Sequence, residues 1–151
     1  MKNTSLSVIQ ATALNGAIQE VSQTGEDKKP VFDLPFNFNY ACGRTLTKLN
    51  EALKPIQDEN GSIFEGWDSE NRKFQAKIKS ASGAEKDKLI DQHAKAFKAR
   101  NDKWKKISGG SIEVELYEFP AFTDDERDQI KTSGITPVLI SKLEPMGLEL
   151  N

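Results

Sequence analysis

Leu6, Ile9, Ala13, Leu14, Ala17, Ile18 and Val21 recur three and four positions apart, so residues 5–22 read as an amphipathic helix. Thr24-Gly25 ends that run, and "GEDKKP" is a polar connection. "VFDLPFNFNY" has extended character, because Pro30 and Pro35 each disfavour helical dihedrals in the residue before them. In an extended chain Phe36, Phe38 and Tyr40 share one face. From about Asn39 the period changes from two to three and four. Cys42, Leu46, Leu49, Leu53 and Ile56 then form one stripe of a helix. Pro55 removes a backbone donor inside it, which predicts a bend just before that residue.

"SIFEGWDSEN" reads as a loop carrying Phe64 and Trp67, with Asp68 or Ser69 placed to cap the next helix. Phe74, Ile78 and Ala81 mark one face of that helix. After Ser82-Gly83, Leu89, Ile90, His93, Phe97 and Trp104 mark another, running to about Lys106. The pattern leaves open whether Gly83 divides two helices or lies within one. Residues 38–58 and 84–106 read as the arms of an antiparallel helical hairpin. "SGGSIEVELYEF" is a strand, with Ile112, Val114 and Leu116 on one face and Glu113, Glu115 and Tyr117 on the other. Its expected partner is the extended stretch at 31–38 or the same strand of a second copy. Thr123 and Glu126 form a capping box, and Thr136-Pro137 opens a last short helix stopped by Pro145-Met146-Gly147. The expectation is one domain over 1–151, of class α+β. It is mainly helical, with an antiparallel helical hairpin, a small β element and short C-terminal helices.

A chain of 151 residues can fold around one core without a disulfide or a metal. Cys42 is the only cysteine, which excludes an intrachain disulfide and fits a reducing compartment, hence a cytoplasmic location. The first residues lack the apolar region of a signal peptide, and no apolar run approaches the roughly 18 residues that span a membrane. The net charge of −2 conceals segregation. Residues 71–106 carry 12 basic and 4 acidic side chains, between two segments with an acidic excess.

One cysteine and one histidine exclude the usual zinc patterns. His93 lies on an apolar stripe and reads as packed; Cys42 lies on another and reads as an inert thiol. A Cys42–His93 dyad would lack an identifiable orienting side chain. "ACGRT" and "SGGS" fit no phosphate loop, and no GxSxG elbow occurs. Asp124, Asp125 and Glu126 are what a first helical turn favours. No catalytic residue, metal site or cofactor is therefore expected. The basic segment, with Lys95, Lys98 and Arg100, can attract phosphates or serve as a solvated face. Lysine outnumbers arginine there, so sequence-specific DNA recognition is not expected. Phe38, Tyr40 and Arg44 offer rings and a guanidinium suited to a nucleobase and its phosphate, although packing into the core is the stronger reading. With Trp67, Lys95, Lys98 and Arg100 they are the candidate ligand-binding residues.

The order of features over residues 36–147, with the phrases "KLNEALKP" and "LEPM", resembles a family of small uncharacterised proteins from phages and prophages. That resemblance implies a viral origin and no established activity. The expected function is a non-enzymatic phage-type binding protein. It would antagonise host defence in the host cytoplasm by sequestering a small nucleotide signal or a host protein. The alternative is an accessory protein of virion or tail morphogenesis acting through protein contacts. Self-association is expected, because the strand needs a partner and Phe64 and Trp67 fall in a loop region.

Overall fold

The computed structural model describes residues 1–150. The chain is α+β and mainly helical, and it divides into two compact units, one of residues 55–110 and the other of the flanking segments. The first unit begins with strand β1 (Lys2–Ser7) and helix α1 (Val8–Val21) and includes the start of α2 (Phe36–Ile63). It resumes with β2 (Ser111–Leu116), α5 (Asp124–Thr132) and α6 (Pro137–Lys142), closed by a 3-10 turn at Glu144–Met146.

β1 pairs antiparallel with β2, in register from Lys2 opposite Leu116 to Ser7 opposite Ser111. The partner of the predicted strand is thus the N-terminal segment, neither residues 31–38 nor a second copy. The first helix starts at Val8 rather than residue 5, because Ser7 and Gln10 form a reciprocal capping box, each bond 3.0 Å long. Leu6 joins the core from the strand.

The second difference is at residue 36. Phe36 opens α2, so the alternation of Phe36, Phe38 and Tyr40 is crossed by a helical period. Pro35 restricts only Leu34 before it and leaves the residues after it free to coil. Phe38 is fully buried against Phe119 and Phe122, with ring centroids 4.6 and 6.3 Å away. Cys42, Leu49 and Leu53 continue the buried face of α2. They meet Leu14, Ile18 and Val21 of α1 and Val114 and Leu116 of β2 in one core. Asn15 is buried between helices and donates to Asn50 Oδ1 at 2.8 Å while accepting from Gln19. The predicted caps at Thr123 and Thr136 are both present. The backbone amide of Phe119 donates to the Met146 carbonyl at 2.8 Å and ties the last turn down.

The helix α2 runs through Pro55 to Ile63, and the boundary between the units falls at Pro55. The second unit then contains α3 (Trp67–Ser80) and α4 (Gly83–Ser108). Gly83 does divide two helices: Ser82 is extended and Gly83 has φ +62°, a left-handed conformation that glycine adopts at little cost. The hairpin arms are therefore α3 and α4, not the two segments read from the pattern. Gly66, also left-handed at φ +72°, precedes Trp67, so neither Asp68 nor Ser69 is the cap. Neither hairpin helix has a fully buried residue. Its seam is held by half-covered rings: Trp67 stacks on His93 at 5.6 Å and meets Phe97 at 5.7 Å, and Phe74 meets His93 at 5.3 Å.

The helical reading of residues 36–40 separates two neighbouring phenylalanines by energy. Phe38→Ala should lower unfolding free energy by about 3–5 kcal/mol, as a buried phenylalanine lost to a cavity does. Phe36→Ala should change it by about 0.5 kcal/mol or less, as at other exposed sites. Urea denaturation of the two variants measures the difference; equal losses would contradict the burial of Phe38.

Candidate binding face

Residues 36, 40 and 44 are spaced by four on α2, so they succeed one another along a single face while Phe38 and Cys42 point inward. Phe36 is 78% exposed and Tyr40 51%. Their rings stack at 6.0 Å with 28° between planes. Tyr117, one residue beyond β2, meets Tyr40 edge-on at 6.2 Å. Arg44 Nη2 donates to the Tyr117 hydroxyl at 2.8 Å, and its guanidinium carbon is 5.0 Å from the Tyr117 ring centre and 5.9 Å from that of Tyr40. Arginine is a permanent cation, and the Tyr117 hydroxyl, as acceptor, raises the Arg44 pKa further above its ordinary value. The result is a continuous surface strip of two exposed rings, a fixed cation and a third ring.

Thr45 holds this strip in register. Its side chain is fully buried. Its hydroxyl accepts from the Tyr117 amide at 2.9 Å and donates to the Tyr117 carbonyl at 3.3 Å. Both backbone groups of Tyr117 are thereby satisfied by one residue of α2, next to Arg44. Lys48, a turn further on, bridges to Glu51 and to Glu115 of β2, each at 3.9 Å.

Of the candidates read from sequence, Tyr40 and Arg44 come together here. Phe38 does not: it is buried, because residues two apart oppose each other on a helix, and it cannot reach a ligand at the surface. Trp67 and Arg100 meet in the hairpin, with the Arg100 guanidinium 4.9 Å from the Trp67 ring centre and bonded to Glu70 at 2.8 Å. Both side chains pack in the seam, with Arg100 Nε buried there without a hydrogen-bond partner. Lys95 pairs with Asp91 and Lys98 with Asp102, each at 2.9 Å on the same helix. The Lys98 bond raises that lysine's pKa and lowers that of Asp102. Tyr117 was absent from the sequence-derived set. The signal for it was its place on the outward face of the strand with Glu113 and Glu115.

Cys42 is buried in the first unit, and desolvation pushes its thiol up to about 12. Near neutral pH the thiol is therefore held in its protonated form, which is the less reactive one. His93, in the second unit, is within 2.7 Å of Asn71 Oδ1 through Nε2, stacked on Trp67 and tilted against Phe74. Among the described residues, no group of three or more histidine, cysteine or acidic side chains is placed to hold a metal ion. No described helix is long and apolar enough to cross a membrane. No protein-family model, curated protein or solved structure matches the chain.

Two measurements probe this geometry. Cys42 should resist a thiol reagent at pH 8 in the native protein and react fully in denaturant; rapid native labelling would contradict its burial. Thr45→Val should cost about 1–3 kcal/mol, because it leaves the Tyr117 amide and carbonyl without their partner. In the same variant, amide exchange at Tyr117 should accelerate, and unchanged exchange would contradict the role given to Thr45.

Proposed function

We propose that the chain is a non-enzymatic binding protein that captures a protein partner through Phe36, Tyr40, Arg44 and Tyr117. The observation that carries this reading is the exposed ring–ring–cation strip, with its arginine already fixed by a hydroxyl before any partner arrives. Tyrosine and arginine are over-represented among the residues that dominate protein interfaces, and a pre-ordered side chain loses less freedom on binding. A protein surface suits the strip better than a nucleotide does. Small ligands are largely enclosed by their sites, whereas Phe36 is 78% exposed. The partner chemistry that fits is an apolar side chain beside a carboxylate or carbonyl oxygen for Arg44. The resemblance of residues 36–147 to phage proteins extends the proposal to a viral antagonist that sequesters a host-defence protein in the host cytoplasm.

A photo-crosslinking phenylalanine analogue at position 36, with one at exposed Val138 as control, tests it in lysate of defence-activated host cells. A discrete protein adduct at 36 but not at 138 is expected. Arg44→Ala should weaken capture of that protein at least 30-fold, the loss associated with an interface hot spot. Absence of a position-specific protein adduct, with a mass gain of a few hundred daltons in native mass spectrometry, would replace the protein with a nucleotide. An adduct to a capsid or tail protein would move the role to morphogenesis.

A further inference from the structure

The two-stranded sheet of the first unit has one flanked edge and one open edge. Tyr117, just past β2, sends both its amide and its carbonyl to Thr45 of α2, away from β1. Backbone groups alternate in direction along a strand, so Glu115 and Glu113 turn the same way, and Leu116, Val114 and Ile112 turn to β1. Their partners Lys2, Thr4 and Leu6 hold the ladder, which leaves the amides and carbonyls of Asn3 and Ser5 pointing out of it. Ser7 gives the same parity independently, because its amide is bonded to Gln10 Oε1 at 3.0 Å and not to β2. The outer edge of β2 is flanked by α2, where Lys48, Glu51 and Ala52 share a depression with Glu113 and Glu115. On the outer edge of β1, Asn3 and Ser5 are exposed, and no loop or side chain among the described residues bonds their backbone groups.

Such an edge is a template for another strand, and proteins that keep one free blunt it with proline, a bulge or a charge. From Asn3 to Ser7 β1 has none of these, and its register with β2 is unbroken. The occupant that fits is β1 of a second copy. A two-fold axis normal to the sheet at Thr4 sets Asn3 opposite Ser5 of the second copy, and Ser5 opposite its Asn3. Each such pair exchanges two N–H···O bonds, so every outward amide and carbonyl of the two residues is satisfied. An axis at Ser5 would instead set Asn3 opposite Ser7, whose amide Gln10 already holds. With the axis at Thr4, Lys2 lies opposite Leu6 of the second copy. Leu6 lines the depression beside this edge together with Glu144 and Pro145. The Glu144 carboxylate has no ion-pair partner among the described residues. Lys2 holds Glu118 only at 3.6 Å, both side chains being more than half exposed, a weak contact that it can exchange. The pairing brings a cation to a free carboxylate on both sides of the axis.

We propose that two copies of the chain associate through β1, antiparallel about a two-fold axis at Thr4, and join their sheets into one of four strands. The contact is isologous, so it closes at a dimer. It is separate from the binding strip on α2 and does not rest on the function proposed for that strip.

The test is sedimentation equilibrium of the full chain from low to high micromolar concentration, with amide exchange measured at both ends of the range. A shift from monomer to dimer mass is expected, with exchange at Asn3 and Ser5 slowed at least about tenfold in the dimer. Ser5→Pro removes an amide that faces out of the sheet, where proline is tolerated, so it should abolish the dimer and leave circular dichroism unchanged. Lys2→Glu and Glu144→Lys should each weaken association, and Lys2→Glu/Glu144→Lys should restore it, which a folding defect would not do. No dimer at the highest concentration, a dimer that survives Ser5→Pro, or a charge swap that fails to restore association would overturn the proposal. A dimer that survives Ser5→Pro but is lost in Phe36→Ala would overturn it in favour of contact through the α2 strip. A chain that stays monomeric, with its Asn3 and Ser5 amides protected only in added cell lysate, would overturn it in favour of a strand from a foreign protein.

Discussion

The first unit depends on one buried hydroxyl. Thr45 satisfies both the amide and the carbonyl of Tyr117, and so fixes helix α2 against the end of β2. An unpaired backbone group in that position would cost about as much as a whole hydrogen bond gains, so the pairing specifies one register. That register sets the surroundings of Thr45 on both sides. Inward, Phe38, Cys42 and Leu49 seal the core against α1 and β2. Outward, Tyr117 comes under the Arg44 guanidinium and beside Tyr40. A polar contact inside the core thus decides the composition of the surface strip.

The second unit is built on a different balance. Neither α3 nor α4 buries a residue completely, so area removed from water contributes less here than in the first unit. In its place stand stacked rings, the Arg100 guanidinium over Trp67, and carboxylate–lysine pairs one turn apart on α4. Such contacts are individually weak and partly screened by salt.

The chain's own grammar was legible where a local rule is strong. Thr123 with Glu126 and Thr136 with Pro137 announced their helices because capping is decided by side chains three residues apart. The alternation of Ile112, Val114 and Leu116 announced β2, and its partly to fully buried face agrees. The stripe of Cys42, Leu49 and Leu53 announced the inner face of α2. The reading failed at Phe36–Tyr40. Alternating aromatics fit a strand, but over five residues a period of two cannot outweigh the helix that continues to Ile63. It failed also at residues 2–7, where Ser7 caps a helix that the apolar pattern alone placed earlier.

The sequence by itself determined the class of the fold, the segregation of charge and the lack of a recognisable catalytic motif, because these are set by composition and by neighbours within a few turns. Only the tertiary structure decided that β2 pairs with the N-terminal segment, that Phe38 is core while Phe36 is surface, and that Tyr117 completes the strip with Arg44. Those outcomes join residues as far apart as Arg44 and Tyr117, or Lys2 and Leu116. Contacts of that range leave no periodic trace along the chain. They are selected by which pairing satisfies every buried backbone group while closing one core.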